Sequence, residues 1–224
     1  MNYKLIQKLV VKDWYFQRFT ILGFLIAGLT SLVVLSIPGT VWFAAGSILL
    51  ITVLFTFGPL LVVALTVTER TAHTLPFLFS LPISMKEYTV AKMVSNFLVF
   101  LVPWLILLIA SFIAITTQQS LPDGLFPFAL VVLTEILVSY SLLLCISLIT
   151  ESQGWNTVGI LIGNLLFQAF LYPVANLQAV KSVMYSPSIV WNSTFTIILL
   201  LEFLLIAVLI GITFVVQFRK TDFV

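Results

Sequence analysis

The sequence predicts an all-α membrane protein with six transmembrane helices, and two observations carry this prediction. Hydrophobic residues make up 61% of the 224-residue chain and charged residues only 8%, with a mean hydropathy of +1.21. These values lie far from those of ordinary soluble domains. The apolar residues also come in runs of roughly 20, and such a run forms a helix about 30 Å long, which matches the hydrocarbon core of a bilayer.

Six apolar runs account for almost the whole chain and leave no stretch long enough for a separate soluble domain. We therefore expect residues 1–224 to form a single transmembrane domain. Pro38-Gly39 separates the first two runs, and Pro122-Asp123-Gly124 supplies the turn before the fourth. The expected spans cover about 19–37, 41–67, 94–115, 126–149, 155–172 and 194–216.

The basic residues predict the orientation of these spans. Nine of the ten lysines and arginines fall on one side of a six-span arrangement, and only Lys181 falls on the other. Because cytoplasmic loops are enriched in lysine and arginine, both termini and the loop 68–92 are expected in the cytoplasm of a multi-pass cell-membrane protein. Residues 173–193 then form an external loop, either an extracellular gate that partly re-enters the outer interface or a plain loop.

The N-terminal segment 1–18 has lysines on one side and apolar residues on the other. Lys4, Lys8 and Lys12 recur every four residues, and Trp14 follows them. This spacing predicts an amphipathic interfacial helix among the lipid headgroups. The alternative is that the segment is the cytoplasmic start of the first span. It lacks the small-residue cleavage site of a secretory signal peptide, so we expect it to be retained.

The loop between spans 2 and 3 contains a short apolar stretch, 75–81, which is bracketed by charged residues. It is too short to cross a bilayer, and an exposed apolar patch of this kind requires a partner or the membrane surface. Pro76 and Pro82 delimit a short helical or turn-like element within it. The alternative is an interfacial segment that only anchors two helices.

This loop resembles that of the ABC-2-type transporter permeases, on the elements Glu69-Arg70, Thr74-Leu75, Ser80-Leu81-Pro82 and Lys92. The family commonly has a glycine where this chain has His73. The resemblance implies a short cytoplasmic coupling helix that docks in a groove of an ATPase. The residues that it assigns to ATPase coupling are Glu69, Arg70, His73, Thr74, Leu75, Phe77, Leu78, Ser80, Leu81 and Pro82.

The resemblance also implies a function: the chain is the permease subunit of an ATP-driven exporter. Its expected partners are cytoplasmic ABC ATPase subunits and a second permease, either identical or related. ATP and Mg would be bound by the partner ATPase, and the cargo would be amphipathic or apolar.

The residues give no sign of an enzyme. The chain has no Gly-x-x-x-x-Gly-Lys-Ser/Thr stretch, no His-Glu-x-x-His and no Gly-x-Ser-x-Gly. A single histidine, His73, and a single cysteine, Cys145, within an apolar run predict no metal site. The dispersed charge also argues against nucleic-acid binding. We expect no cofactor in this chain.

Two carboxylates lie inside predicted spans, Glu135 in the fourth and Glu202 in the sixth. An ionised side chain at such a depth costs at least about 2.5 kcal/mol on insertion scales. Asn164 and Gln168 share one face of the fifth span at a similar depth. We expect these four residues to form a polar layer. The layer either lines a substrate path or holds the helices together, through hydrogen bonds from protonated Glu135 and Glu202 to Asn164, Gln168 or Ser139. We favour the second role.

Three rival functions remain at this point. A membrane scaffold or assembly protein would use the same loop to recruit a soluble partner. A membrane-embedded enzyme would depend on Glu135 and Glu202. A haem-export-type permease has a similar size and span number, but no set of haem ligands is visible in the sequence.

Overall fold

The computed structural model describes residues 3–67, 85–118 and 120–219. Over these ranges six helices are long and apolar enough to cross a membrane, which confirms the prediction of a multi-pass membrane protein. A seventh helix, α6, is short. The helices are α1 Tyr3–Leu35, α2 Thr40–Val62, α3 Met85–Thr117, α4 Leu125–Thr150, α5 Gln153–Asn176, α6 Gln178–Met184 and α7 Ser193–Arg219.

The first helix differs from the predicted pair of an interfacial helix and a span. α1 runs without a break through Arg18, so the residues from Tyr3 to Arg18 form the first half of one 33-residue helix. No glycine or proline precedes Gly23, and nothing in the sequence therefore interrupts the backbone hydrogen bonds. At 1.5 Å per residue, α1 is about 50 Å long and exceeds the hydrocarbon thickness.

The start of the third span was also predicted too late. α3 begins at Met85, whereas the sequence indicated a polar interval as far as Lys92. The hydropathy pattern counts Lys92 as a loop residue, but in the structure its side chain is buried against α1. A charged residue that finds a partner inside the protein can belong to a helix that hydropathy alone would end.

The second helix ends in an irregular segment. Pro59 lies within α2 without ending it, and Val63–Val67 continue as a π-helix. A proline removes one backbone donor, and π-helical turns inside α-helices are uncommon and frequent at functional sites. The chain thus enters the loop before α3 from a widened helical turn.

The helices pack around α4. In its most apolar stretch 78% of α4 is buried within the protein, against 22% for α1, α5 and α7. α1 packs on α2 and α3 at one side of α4, and α5 and α7 pack on α4 at the other. The indole Nε1 of Trp104 in α3 donates a 2.8 Å hydrogen bond to the carbonyl oxygen of Leu133 in α4.

Aromatic rings form the centre of the core. The ring of Tyr140 stacks on that of Phe100 with 3.9 Å between centroids, and Phe100 in turn stacks on Phe57 at 5.7 Å. The hydroxyl of Tyr140 donates to the backbone carbonyl of Asn96 at 2.8 Å. These contacts join α2, α3 and α4.

One glycine sets how closely the first hairpin packs. A Cβ atom added at Gly46 in α2 would lie within 2.5 Å of the Cα atom of Leu35 in α1. Only a residue without a side chain lets the two backbones approach this closely, and small residues serve the same purpose at helix interfaces in membranes generally.

The bundle has two ends, which we name by the residues they carry. The terminal end carries Asp13, Lys92, the turn 150–153 and Arg219, and the far end carries the turns 36–39 and 118–124 together with 177–192. At the far end, Ser120 Oγ donates to Ser36 O at 3.3 Å.

Residues 173–193, predicted to form an external loop, are largely folded. α5 continues through Pro173 to Asn176, and α6 follows directly. Val180 of α6 is fully buried against α4 and α7. Asn192 caps α7 by accepting a 3.0 Å hydrogen bond from the Phe195 amide, and it donates to Ala179 O at 2.9 Å.

Candidate functional site

The residues assigned to ATPase coupling lie outside the described part of the chain, since all ten fall between Val67 and Met85. What the structure does describe is how the chain enters and leaves this loop. It enters from the π-helical turn Val63–Val67 and leaves through the first turns of α3.

A buried ion pair lies two turns into α3. Lys92 Nζ is 3.1 Å from Asp13 Oδ2 of α1, and Ser95 Oγ donates to the same oxygen at 2.8 Å. Asp13 and Lys92 are each only 2% exposed, and Ser95 is fully buried. The other carboxylate oxygen, Asp13 Oδ1, is 3.3 Å from Lys12 Nζ. The Lys92 ammonium and the Ser95 hydroxyl thus both donate to the Asp13 carboxylate at a position where water has little access.

This ion pair was not predicted from the sequence. Lys92 was interpreted as part of the loop motif, and no role was predicted for Asp13. A usable signal existed, because Asp13 is the only acidic residue before Glu69. A carboxylate that is buried at the end of a membrane bundle requires a partner. The pair joins α1 to α3 two turns after the start of α3.

A second polar centre lies midway along α4 and α7. Glu135 and Glu202 line one groove with a volume of about 550 Å³, which is formed by α4, α5 and α7. α5 and α7 each pack on α4 but make little contact with each other, and this leaves the groove between them. The rest of its lining is apolar except for Ser139.

Both carboxyl groups are buried without hydrogen-bonding partners. Glu202 is 4% exposed, and neither of its carboxylate oxygens has a partner. Glu135 is 8% exposed, and no hydrogen bond joins it to another described residue. From the far-end start of each helix, Glu135 lies ten residues along α4 and Glu202 nine along α7. They are therefore about 14 Å from the far end.

The other two members of the predicted polar layer lie elsewhere. Asn164 is exposed and donates its side-chain amide to Ile160 O in its own helix at 2.9 Å. Gln168 is also exposed and lies outside the groove lining. The expected hydrogen bonds from Glu135 and Glu202 to Asn164, Gln168 or Ser139 do not form. The prediction that these hydrogen bonds hold the helices together is therefore wrong.

A third polar contact joins the end of α7 to the end of α4 at the terminal end of the bundle. Gln217, near the end of α7, donates through Nε2 to the carbonyl oxygen of Leu148 and lies 3.5 Å from Glu151 Oε1. Glu151 follows α4 with a left-handed φ of 57° and ends that helix. The contact between Glu151 and Gln217, 66 residues apart in the chain, was not predicted from the sequence.

No cluster of three or more histidine, cysteine, aspartate or glutamate side chains suited to a metal ion occurs in the described ranges. Cys145 is buried, as expected for a core residue. No family model, curated protein or solved structure matches the chain. Its own residues therefore carry the functional argument.

Proposed function

We propose that this chain is the membrane-spanning permease subunit of an ABC-2-type exporter, which moves an amphipathic cargo with ATP hydrolysed by a separate subunit. The observation that carries the proposal is the sequence of the segment 68–84, where Glu69-Arg70 precedes, and Thr74-Leu75 and Ser80-Leu81-Pro82 bound, an apolar stretch too short to span a bilayer. The six apolar helices provide the membrane domain such a subunit requires.

The buried ion pair suggests how the loop moves the helices. An ATPase that closes on the loop displaces the first turns of α3, and Lys92 lies in those turns. Because Lys92 pairs with Asp13, the displacement passes to α1 as well. Rigid helices that shift together in this way are a common route from a local event to a change in exposure.

The proposal includes the partners and the orientation. Two cytoplasmic ATPase subunits bind the loops of two permeases, identical or related, and hold the ATP and Mg. Both termini lie in the cytoplasm, because nine of the ten basic residues share that side. The chain itself moves cargo without a covalent step.

The test is capture of an ATPase by the affinity-tagged chain. Wild type is expected to retain a soluble protein with a Walker nucleotide-binding motif, and Leu78→Asp is expected to reduce its capture at least about tenfold, since a charge in the apolar stretch must be desolvated on docking. Ser120→Asp adds the same charge at the far end and should leave capture unchanged. Undiminished capture by a folded Leu78→Asp protein would refute the coupling role, and a partner without a nucleotide-binding motif would indicate a scaffold.

A further inference from the structure

We infer that the groove between α4, α5 and α7 binds a lipophilic organic cation, with its apolar body between the helices and its positive charge beside Glu135 and Glu202. The inference deepens the proposed function, since it names the chemical class of the cargo. It starts from the Glu202 carboxyl group, whose two oxygens are buried without a hydrogen-bonding partner, and from the groove that Glu202 shares with Glu135.

The groove lining that the structure describes offers no positive charge to the two carboxyl groups. No lysine, arginine or histidine is among the described residues that line the groove, and Glu202 has no hydrogen-bond donor for either oxygen. A carboxylate at this depth costs at least about 2.5 kcal/mol on insertion scales. A bound cation compensates that charge, and its attraction is strong because the surrounding dielectric constant is low.

The shape and chemistry of the groove select the kind of cation. A volume of about 550 Å³ is that of a small-molecule site. Apart from the two carboxyl groups and Ser139, the side chains that face it are apolar, among them Leu142, Phe170 and Leu205. Hard metal ions require six or more oxygen ligands, which this lining does not provide. An apolar molecule with one positive charge matches both features.

The position of the groove suggests how the ligand arrives. The gap lies between α5 and α7, which are the most lipid-exposed helices on that side of α4. A cation that has already partitioned into the bilayer reaches the carboxyl groups by moving sideways between these helices. The site therefore samples molecules from the membrane.

The experiment measures binding to the purified chain in lipid nanodiscs with two probes of the same shape and opposite charge, tetraphenylphosphonium and tetraphenylborate. Wild type is expected to bind tetraphenylphosphonium saturably above empty nanodiscs and to bind no tetraphenylborate. Glu202→Gln and Glu135→Gln are each expected to weaken binding at least about tenfold, which is about 1.4 kcal/mol. Glu151→Gln, a matched substitution at the terminal end, should bind as wild type does.

A second variant covers the case in which the glutamine variants fail to fold. Ala169→Phe fills the groove from its exposed wall and leaves both carboxyl groups in place, so it should also abolish saturable binding. The inference is overturned if wild type binds neither probe, if it binds both equally, or if folded groove variants bind as wild type does. It is likewise overturned if a second copy of the chain fills the groove, which a cross-link from Leu166→Cys to another chain would reveal. Because no ATPase is present, failure here is separate from failure of the coupling proposal.

Discussion

Lys92→Met is expected to lower the free energy of unfolding by about 3 kcal/mol, because it removes the buried cation of the Asp13 carboxylate and leaves the partly exposed Lys12 as its cationic neighbour. The measurement is reversible unfolding of the protein in mixed micelles. Lys8→Met, a matched change at an exposed position of α1, should alter stability by less than about 0.5 kcal/mol.

A double variant separates the ion pair from a general intolerance of change at this site. Asp13→Leu combined with Lys92→Met removes both charges and should recover most of the lost stability, since hydrophobic replacement of a buried pair is often neutral. Equal losses in the single and double variants would contradict a stabilising role for the pair.

Phe100→Ala is expected to cost about 3–5 kcal/mol, because it opens a cavity where three helices meet. The side chain is fully buried and stacks on Tyr140 of α4 and Phe57 of α2. Phe203→Ala makes the same change on a face of α7 that is 53% exposed, and it should cost much less. Similar losses for the two variants in mixed-micelle unfolding would contradict the packing of α2, α3 and α4 around this ring.

The six spans could be predicted from the sequence because run length and hydropathy are local properties. The centrality of α4 could not. Every span carries apolar residues on all faces, so no periodicity distinguishes a helix buried in protein from one that faces lipid. Hydropathy also fails at the start of α3. It assigned Lys92 to a loop, whereas in the structure Lys92 lies inside a helix and pairs with a residue 79 positions away in the chain.

The residues of the candidate site could be predicted only in part, because the sequence shows depth along a helix but not the direction of a side chain. Depth along a helix can be counted from the sequence, and the count places Glu135 and Glu202 at a similar level; in the structure both line one groove. The direction in which a side chain points depends on how the helices rotate against each other. Asn164 and Gln168 lie at a similar depth, but α5 turns them away from the groove.

The proposed function requires the segment 68–84 to contact an ATPase in the cytoplasm. The most direct measurement places a photo-reactive benzoylphenylalanine at Phe77, illuminates living cells and identifies the cross-linked protein by mass spectrometry. The same probe at Trp42, an exposed residue of the far end, serves as the control. Our account predicts that Phe77 yields an adduct with a Walker-motif ATPase and that Trp42 does not. An adduct with lipid alone from Phe77, or the ATPase adduct from Trp42 instead, would contradict it.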